Sequence, residues 1–243
     1  MERKKNRVEV CFSPLLYPLY EDPENIVVVV DILRATSSII TAFHNGVDRL
    51  IPVRTIEEAR AYKEKGYLIA AERDGKVLDF ADFGNSPDNF TPERIRGRTI
   101  VYSTTNGTQA IQMAGRSRQV LVGGFLNISA LARYLLQQKR NVLILCAAWK
   151  NKFSLEDSVF AGALTDRLLE SGAFDTICDS AHAARDLWLL AESDLVKYID
   201  KAANRSRLRR LGLDSAIEYC HTQDVTDVIP VLEGNTLVRL DKS

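Results

Sequence analysis

The apolar pattern is densest at Ile26–Val30, where an isoleucine and four consecutive valines leave no polar face. Such a strand reads as the centre of a parallel sheet, because helices cover both of its sides. Further strands are predicted at Val8–Phe12, Arg49–Val53, Tyr67–Ala71, Thr99–Tyr102, Gln119–Gly123 and Asn141–Ala148, with two short closing strands at Asp227–Glu233 and Leu237–Leu240. Helical periodicity is predicted over Ile32–Asn45, Thr55–Lys65, Gln109–Ala114, Ile128–Gln138, Ser154–Ser171, Thr176–Lys197 and Lys201–Leu211, and Ala216–Cys220 continues it. Thr55 and Glu58 have the spacing of a capping box, and Asn45-Gly46 that of a helix stop. Val77–Asn89 reads as a loop. Strand followed by helix, repeated, predicts an α/β fold: three layers, a mainly parallel sheet, helices on both faces. The helix-rich last third leaves room for two α/β lobes, 1–122 and 123–243.

Composition narrows the partners. The chain has 243 residues, and 32 Lys and Arg balance 32 Asp and Glu, so no basic field favours nucleic acid. No apolar run approaches the roughly 20 residues of a membrane span. The charged N-terminus leads only into a short strand and does not read as a signal peptide. Cys11, Cys146, Cys178 and Cys220 are scattered and form no Cys-x-x-Cys pair, which fits buried thiols of a cytoplasmic protein.

Candidate chemistry collects just past the predicted strands. The valine run stops on Asp31, whose desolvation would cost several kcal/mol without a partner. Arg34, Thr36, Ser37 and Ser38 follow it. Ligands of open α/β sheets bind outside the carboxyl ends of the strands, so this end is a candidate site. Glu72-Arg73 repeats the carboxylate-guanidinium pairing after another strand; a surface ion pair is the alternative. Ser103-Thr104-Thr105-Asn106-Gly107 between a strand and a helix suits an anion, with plain helix capping as the alternative. Asn85-Ser86-Pro87 is a turn former. Ser154 with Asp157 reads as a capping box, or Glu156 and Asp157 as oxygen donors to Mg²⁺. Asp224–Asp227 reads as a turn. The arginine-rich run Asn204–Arg210 reads as a solvated helix face, with an interface between copies, hence a homo-oligomer, as the alternative.

Some chemistries lack their residues. No Gly-x-x-x-x-Gly-Lys loop is present. Cys146 is followed at the sixth position by Lys152, where a cysteine phosphatase needs arginine. Leu33 stands where a haloacid-dehalogenase pattern would place a second aspartate after Asp31. His44, His182 and His221 show no metal-ligand spacing.

Six segments in order carry a resemblance: Asp31–Ser37, Glu72-Arg73, Phe83–Pro87, Ser103–Thr108, Phe125–Asn127 and Phe153–Asp157. Together they resemble the 2-phosphosulfolactate phosphatase family, over about residues 27–162, and Asp224–Pro230 looks similar too. The resemblance implies Mg²⁺-dependent hydrolysis of 2-phospho-3-sulfolactate to sulfolactate and phosphate, a step of coenzyme M biosynthesis. Ala71 and Ala148 stand where the family tends to have glycine. On this footing the substrate is a small phosphorylated sulfonate and carboxylate. Its phosphate would sit on Ser103, Thr104, Thr105, Asn106 and Gly107, neutralised by Arg34 or Arg73. Asp31 with Glu72, Glu156 or Asp157 would hold Mg²⁺. Thr36, Ser37, Asn85, Ser86 and the remaining arginine would recognise the rest of the substrate. Either water attacks phosphorus directly, or Asp31 attacks first and the phosphoaspartate is hydrolysed. Two alternatives stay open: a phosphatase for another small phosphorylated hydroxy acid, and a non-enzymatic binder of such an acid.

Overall fold

The computed structural model of the chain describes residues 5–210, 212 and 215–241. Leu211, the end of a predicted helix, lies outside the described residues, as do the first four residues of the charged N-terminus. In chain order the elements are β1 (Asn6–Cys11), β2 (Ile26–Val30), α1 (Ala35–His44), β3 (Arg49–Pro52), α2 (Ile56–Glu64), β4 (Leu68–Arg73), β5 (Lys76–Val77), α3 (Pro92–Ile95), β6 (Thr99–Ser103) and α4 (Gly107–Met113). They continue as β7 (Gln119–Gly123), α5 (Ile128–Gln138), β8 (Val142–Cys146), α6 (Leu155–Glu170), β9 (Phe174–Asp175), α7 (Asp179–Ala191), α8 (Leu195–Ile199), α9 (Ala203–Arg210), α10 (Ser215–Cys220), β10 (Pro230–Glu233) and β11 (Thr236–Arg239).

The strands form one sheet in the order β5-β4-β6-β3-β11-β10-β7-β2-β8-β1-β9. Strands from before and after residue 123 interleave in it: β2 lies between β7 and β8, parallel to both. A second parallel group is β4-β6-β3. The antiparallel hairpin β10-β11 joins the groups, pairing Val231 with Leu121 on one side and Leu237 with Leu50 on the other. The α/β class and the mainly parallel sheet thus hold, and the antiparallel insertion in the middle is what the periodicity did not show.

The side-chain alternation of β2 explains the layers. Ile26, Val28 and Val30 enter one apolar cluster with Leu131 of α5, Phe160 and Leu164 of α6, and Ala184 and Trp188 of α7. Val27 and Val29 enter a second cluster with Ile39 and Phe43 of α1 and Ala110 and Ile111 of α4. Leu50, Ala70, Ile100 and Tyr102 of the other strand group share this second cluster, so the sheet curls around α1 and α4. On the far side of that group Ala59 of α2 packs with Ile69, Ala71 and Val101. Among the described residues no helix is long and apolar enough to cross a membrane.

Element ends depart from the periodicity for local reasons. The first helix begins at Ala35 instead of Ile32; ahead of it Asp31 N–H donates to Thr36 Oγ1 at 3.0 Å and Ile32 N–H to Asp157 Oδ1 at 2.9 Å, which pin the residues before the helix as a loop. The helix predicted over Thr176–Lys197 breaks in two, where Asp194 caps α8 by accepting from Lys197 N–H at 3.2 Å. The strand predicted to end at Ala71 continues through Glu72 and Arg73, which pair with Val77 and Lys76 in a hairpin. The Thr55–Glu58 capping box is present in full.

Gly162 marks the closest approach of α6 to α7: a Cβ there would lie 1.9 Å from the Ala184 carbonyl oxygen. Helix propensity favours alanine over glycine by about 1 kcal/mol, but forcing two packed backbones apart costs more. Gly162→Ala is therefore expected to lower stability by about 2 kcal/mol or more in urea denaturation. A variant as stable as the wild type would show that the helices separate freely.

Candidate active site

The loops after β2, β4, β6 and β8, the start of α6 and the inner face of α9 line one cleft. From these elements come Asp31 and Arg34, Glu72 and Asp74, Thr105 and Asn106, Ala148 and Trp149, Glu156 and Asp157, and Asn204 and Arg207; Asn85 lines it too. The site thus sits where the parallel strands end, as the position of Asp31 after four valines suggested.

Asp31 is buried. Its Oδ1 accepts one long bond, 3.3 Å, from Ala35 N–H. Its Oδ2 lies over Gly107, where an added Cβ would come to 3.0 Å from that oxygen and 2.6 Å from the Ala35 Cβ. The glycine is needed to let the loop lie flat against the carboxylate. Burial, then the charges of Glu72 and Glu156, raise the Asp31 carboxyl to about 7, with Ala35 N–H and Arg207 opposing. Burial also raises Glu156, which Asn204 Nδ2 and Arg207 partly offset. Asp157 is pushed well above the usual carboxylate range by burial and by Asp31 and Glu156.

Two carboxylates hold loops together. Asp157 accepts Ile32 N–H on Oδ1 and Ala148 N–H on Oδ2, at 2.9 and 3.2 Å. Of the capping box expected at Ser154 and Asp157, the Ser154 half is present, its Oγ accepting Asp157 N–H at 3.4 Å, while the Asp157 carboxylate is spent on the two loops instead. Glu72 Oε1 accepts Thr105 N–H at 3.0 Å and the Thr105 hydroxyl at 3.2 Å, and its Oε2 accepts Gly75 N–H at 2.6 Å. The polar turn expected to cradle phosphate therefore already meets an anion, the Glu72 side chain.

The remaining predicted residues divide. Arg34 is buried in the cleft wall, with Nη2 donating to Asn85 Oδ1 at 2.9 Å. Asn106 accepts Lys150 N–H across the mouth at 3.2 Å, and Lys150 Nζ bridges to Asp74 at 2.8 Å. Thr36 and Ser37 are fully buried and serve the loop itself: the hydroxyls donate to the Asp31 and Ile32 carbonyls at 3.0 and 2.9 Å. Ser103 and Thr104 are buried behind the cleft, Ser103 accepting from Arg73 and Thr104 exchanging bonds with Thr108. Ser86 is buried and its carbonyl takes the Asn89 amide; it is not among the lining residues. Arg73 turns away, with Nη1 on the Glu72 carbonyl and Nη2 on the Arg54 carbonyl and Ser103 Oγ, and so is not brought to the cleft.

The second guanidinium in the cleft is Arg207, from the run read as a solvated helix face. Its Nε and Nη2 both donate to Asn204 Oδ1, at 3.0 and 2.7 Å, and Asn204 Nδ2 donates to the Leu33 carbonyl and Glu156 Oε1. Within the run, Asn204 and Arg207 lie at i, i+3 spacing on one face and Leu208 is fully buried, a pattern legible in the sequence as an inward face. Among the described residues, Arg34 Nη1 and Arg207 Nη1 are buried without a hydrogen-bond partner.

The carboxylates of Asp31, Glu72, Glu156 and Asp157 are hard oxygen donors of the type Mg²⁺ takes, while Asp74 is paired with Lys150. Among the described residues no three His, Cys, Asp or Glu side chains are grouped as a metal cage. Mg²⁺ commonly uses only one or two protein carboxylates together with water and phosphate. Asp157 and Glu72 each spend both oxygens on N–H groups, whereas Asp31 Oδ1 accepts from Ala35 N–H and Glu156 Oε1 from the Asn204 amide, so Asp31 and Glu156 are the pair whose chemistry fits such an ion.

The family model described as 2-phosphosulpholactate phosphatase matches residues 11–235. The chain is 40% identical to a probable 2-phosphosulfolactate phosphatase of Thermotoga maritima over 211 residues, 87% of this chain and 90% of that one. It is 37% identical to a protein of the same name from Gloeobacter violaceus, over 92% of this chain and 94% of that one. A third, from Caldanaerobacter subterraneus, is 36% identical over 89% and 90%.

Asp31 gives a signed pH prediction for the metal-free protein. Its carboxyl is higher folded than unfolded, so the folded state binds the extra proton between about pH 4 and 7 and loses stability as the pH rises through that window. In EDTA, Asp31→Asn is expected to be more stable than wild type at pH 8, by roughly 1–3 kcal/mol, and the gain should vanish towards pH 4. Melting curves across that range measure it; a variant less stable at pH 8 would contradict the burial argument.

Proposed function

The chain belongs to the 2-phosphosulpholactate phosphatase family, and on that footing we propose that it is a phosphoric monoester hydrolase converting 2-phospho-3-sulfolactate to 3-sulfolactate and phosphate with Mg²⁺. One observation carries the reading. A cleft at the strand ends presents two guanidiniums, each with a buried Nη1 that has no hydrogen-bond partner among the described residues, beside a carboxyl raised to about 7. Anionic oxygens are what such guanidiniums bind.

Phosphoryl transfer needs positioning and charge stabilisation more than covalent help. Arg34, fixed by Asn85, would neutralise the phosphoryl oxygens. Asp31, held near pH 7 between its two forms, is suited to take the proton of an attacking water or to attack phosphorus itself. Gly107 lets its loop pack against that carboxylate without a clash, and Asp157 fixes the loop that carries it. Bound by Asp31 and Glu156, Mg²⁺ would supply positive charge to the phosphoryl oxygens and favour the ionised carboxylates. Four free thiols, three of them buried, fit a reducing compartment, and the reading places the reaction in the cytoplasm.

The test is phosphate release from racemic 2-phosphosulfolactate and from phospholactate, with Mg²⁺ and with EDTA, in wild type and Asp31→Asn. Release from the sulfonate substrate that needs metal and falls at least 1000-fold in the variant is expected. Mg²⁺ should raise the wild-type melting temperature and leave that of Asp31→Asn unchanged. Release from phospholactate alone would keep a phosphatase and remove this substrate. No release from either, by folded protein with Mg²⁺, would favour a non-enzymatic binder. Phosphorylated Asp31 trapped by acid quench would exclude direct attack by water.

A further inference from the structure

Arg207 is better anchored than a substrate-neutral arginine needs to be. Two of its three nitrogens, Nε and Nη2, converge on one acceptor, Asn204 Oδ1. That amide is itself fixed at both ends, by the Leu33 carbonyl at 2.9 Å and Glu156 Oε1 at 2.8 Å. The guanidinium carbon also stands 5.6 Å from the centre of the Trp149 ring. The residue lines the cleft, and its remaining nitrogen, Nη1, is buried without a hydrogen-bond partner among the described residues. An N–H group left unpaired in a buried place costs about 1–3 kcal/mol, a cost removed when an anion arrives. The anchoring means that little rotamer freedom is lost at that moment.

Arg34 and Arg207 are the only basic residues lining the cleft among the described residues. They are near enough for Arg207 to disfavour the charge on Arg34, which burial already lowers. Two repelling guanidiniums held apart by separate anchors suit a ligand with two separate anionic groups. Arg34 stands three residues after Asp31 in the same loop, at the reacting end. Arg207 comes from a different element and lies against an indole. A sulfonate spreads its charge over three oxygens, is weakly basic and is a poor ligand for a hard cation. A weakly hydrated guanidinium beside an aromatic face is its better partner.

Resting on the phosphatase reading above, we propose that Arg207, positioned by Asn204 and flanked by Trp149, binds the sulfonate of the substrate and sets the preference for sulfonate-bearing over unsubstituted 2-hydroxy acid phosphates. Arg207 is in this view a specificity element, while its anchor Asn204 also holds Glu156 and the loop of Asp31.

The experiment compares wild type, Arg207→Gln and Arg207→Lys on 2-phosphosulfolactate and on 2-phospholactate, which has a methyl group in place of the sulfomethyl group. In Arg207→Gln, kcat/KM for the sulfonate is expected to fall about 30- to 100-fold, mainly through KM, and that for phospholactate to stay within about threefold. Arg207→Lys should recover part of the loss, because it keeps the charge without the fork. Equal losses on both substrates, or a fall in kcat alone, would overturn the proposal and assign Arg207 to the phosphoryl group or the fold. Melting temperatures of the variants check folding, and Arg207→Lys decides if the glutamine variant does not fold. Calorimetric binding of 3-sulfolactate and of lactate gives a readout independent of turnover. If wild type hydrolyses neither ester, the phosphatase reading fails, yet sulfolactate binding lost in Arg207→Gln would still support the sulfonate site. Sulfolactate binding equal in wild type and variant would overturn it.

Discussion

Asp157 reaches from the first turn of α6 to the backbone N–H groups of Ile32 and Ala148, and through them it fixes the ends of two neighbouring parallel strands. Part of the site is carried on these two loops. Asp31 and Arg34 lie on the first loop, and Trp149 on the second. The arrangement has a cost. Bringing an acid into a place lined by Asp31 and Glu156 raises its pKa by burial and by like charge. Hydrogen bonds from backbone N–H groups favour the charged form and offset part of that cost.

The charge distribution of the cleft follows from the same geometry. Carboxylates arrive on the strand-end loops and on α6, while one guanidinium comes from the Asp31 loop and the other from α9. Glu72 answers its own burial by accepting three bonds from Gly75 and Thr105, which stitch the β4 and β6 loops into one wall. Lys150 then links that wall to the β8 loop through Asp74 and Asn106. The half-exposed ion pair is weak by itself, but the bond from Lys150 N–H to Asn106 is tied to a backbone whose φ values at Ala148, Lys150 and Asn151 are 60°, 50° and 61°. Left-handed backbone of this kind is uncommon outside glycine, and it concentrates here at the mouth of the cleft.

Much of this was legible in the sequence where a single physical cause dominates. Five apolar residues in a row require cover on both sides, and Asp31 after them requires a crevice; both outcomes are found. Ser154 and Thr55 are helix caps because local spacing alone decides them. What failed to show depends on partners distant in sequence. The Ser103–Gly107 turn has the composition of an anion site, and only the fold reveals that Glu72, 33 residues before Thr105, supplies the anion. Arg73 carries the right group next to the right carboxylate, yet the alternation of β4 sends it to the face opposite Glu72. Thr36, Ser37 and Thr104 lie beside the cleft, but their hydroxyls bond to nearby backbone, and the Ser103 hydroxyl accepts from the Arg73 guanidinium.

The helix α9 shows why charge density alone misplaces a segment. Asn204–Arg210 contains four arginines, and by composition it belongs in water. Helical spacing says more than composition does. Leu208 is fully buried and pins one face, so Asn204, four residues earlier, and Arg207, adjacent to it, are turned inward, while Arg209 and Arg210 are exposed. Of the arginines on the face that Leu208 buries, Arg205 goes to Asp200 and Arg207 enters the cleft. That selection also decides how the site can discriminate. A guanidinium on the strand-end loops, like Arg34, is bound to the geometry of the reacting group. One on α9 can be changed while Asn204 keeps its bonds to the Leu33 carbonyl and Glu156, so that Asp157 still holds both strand-end loops.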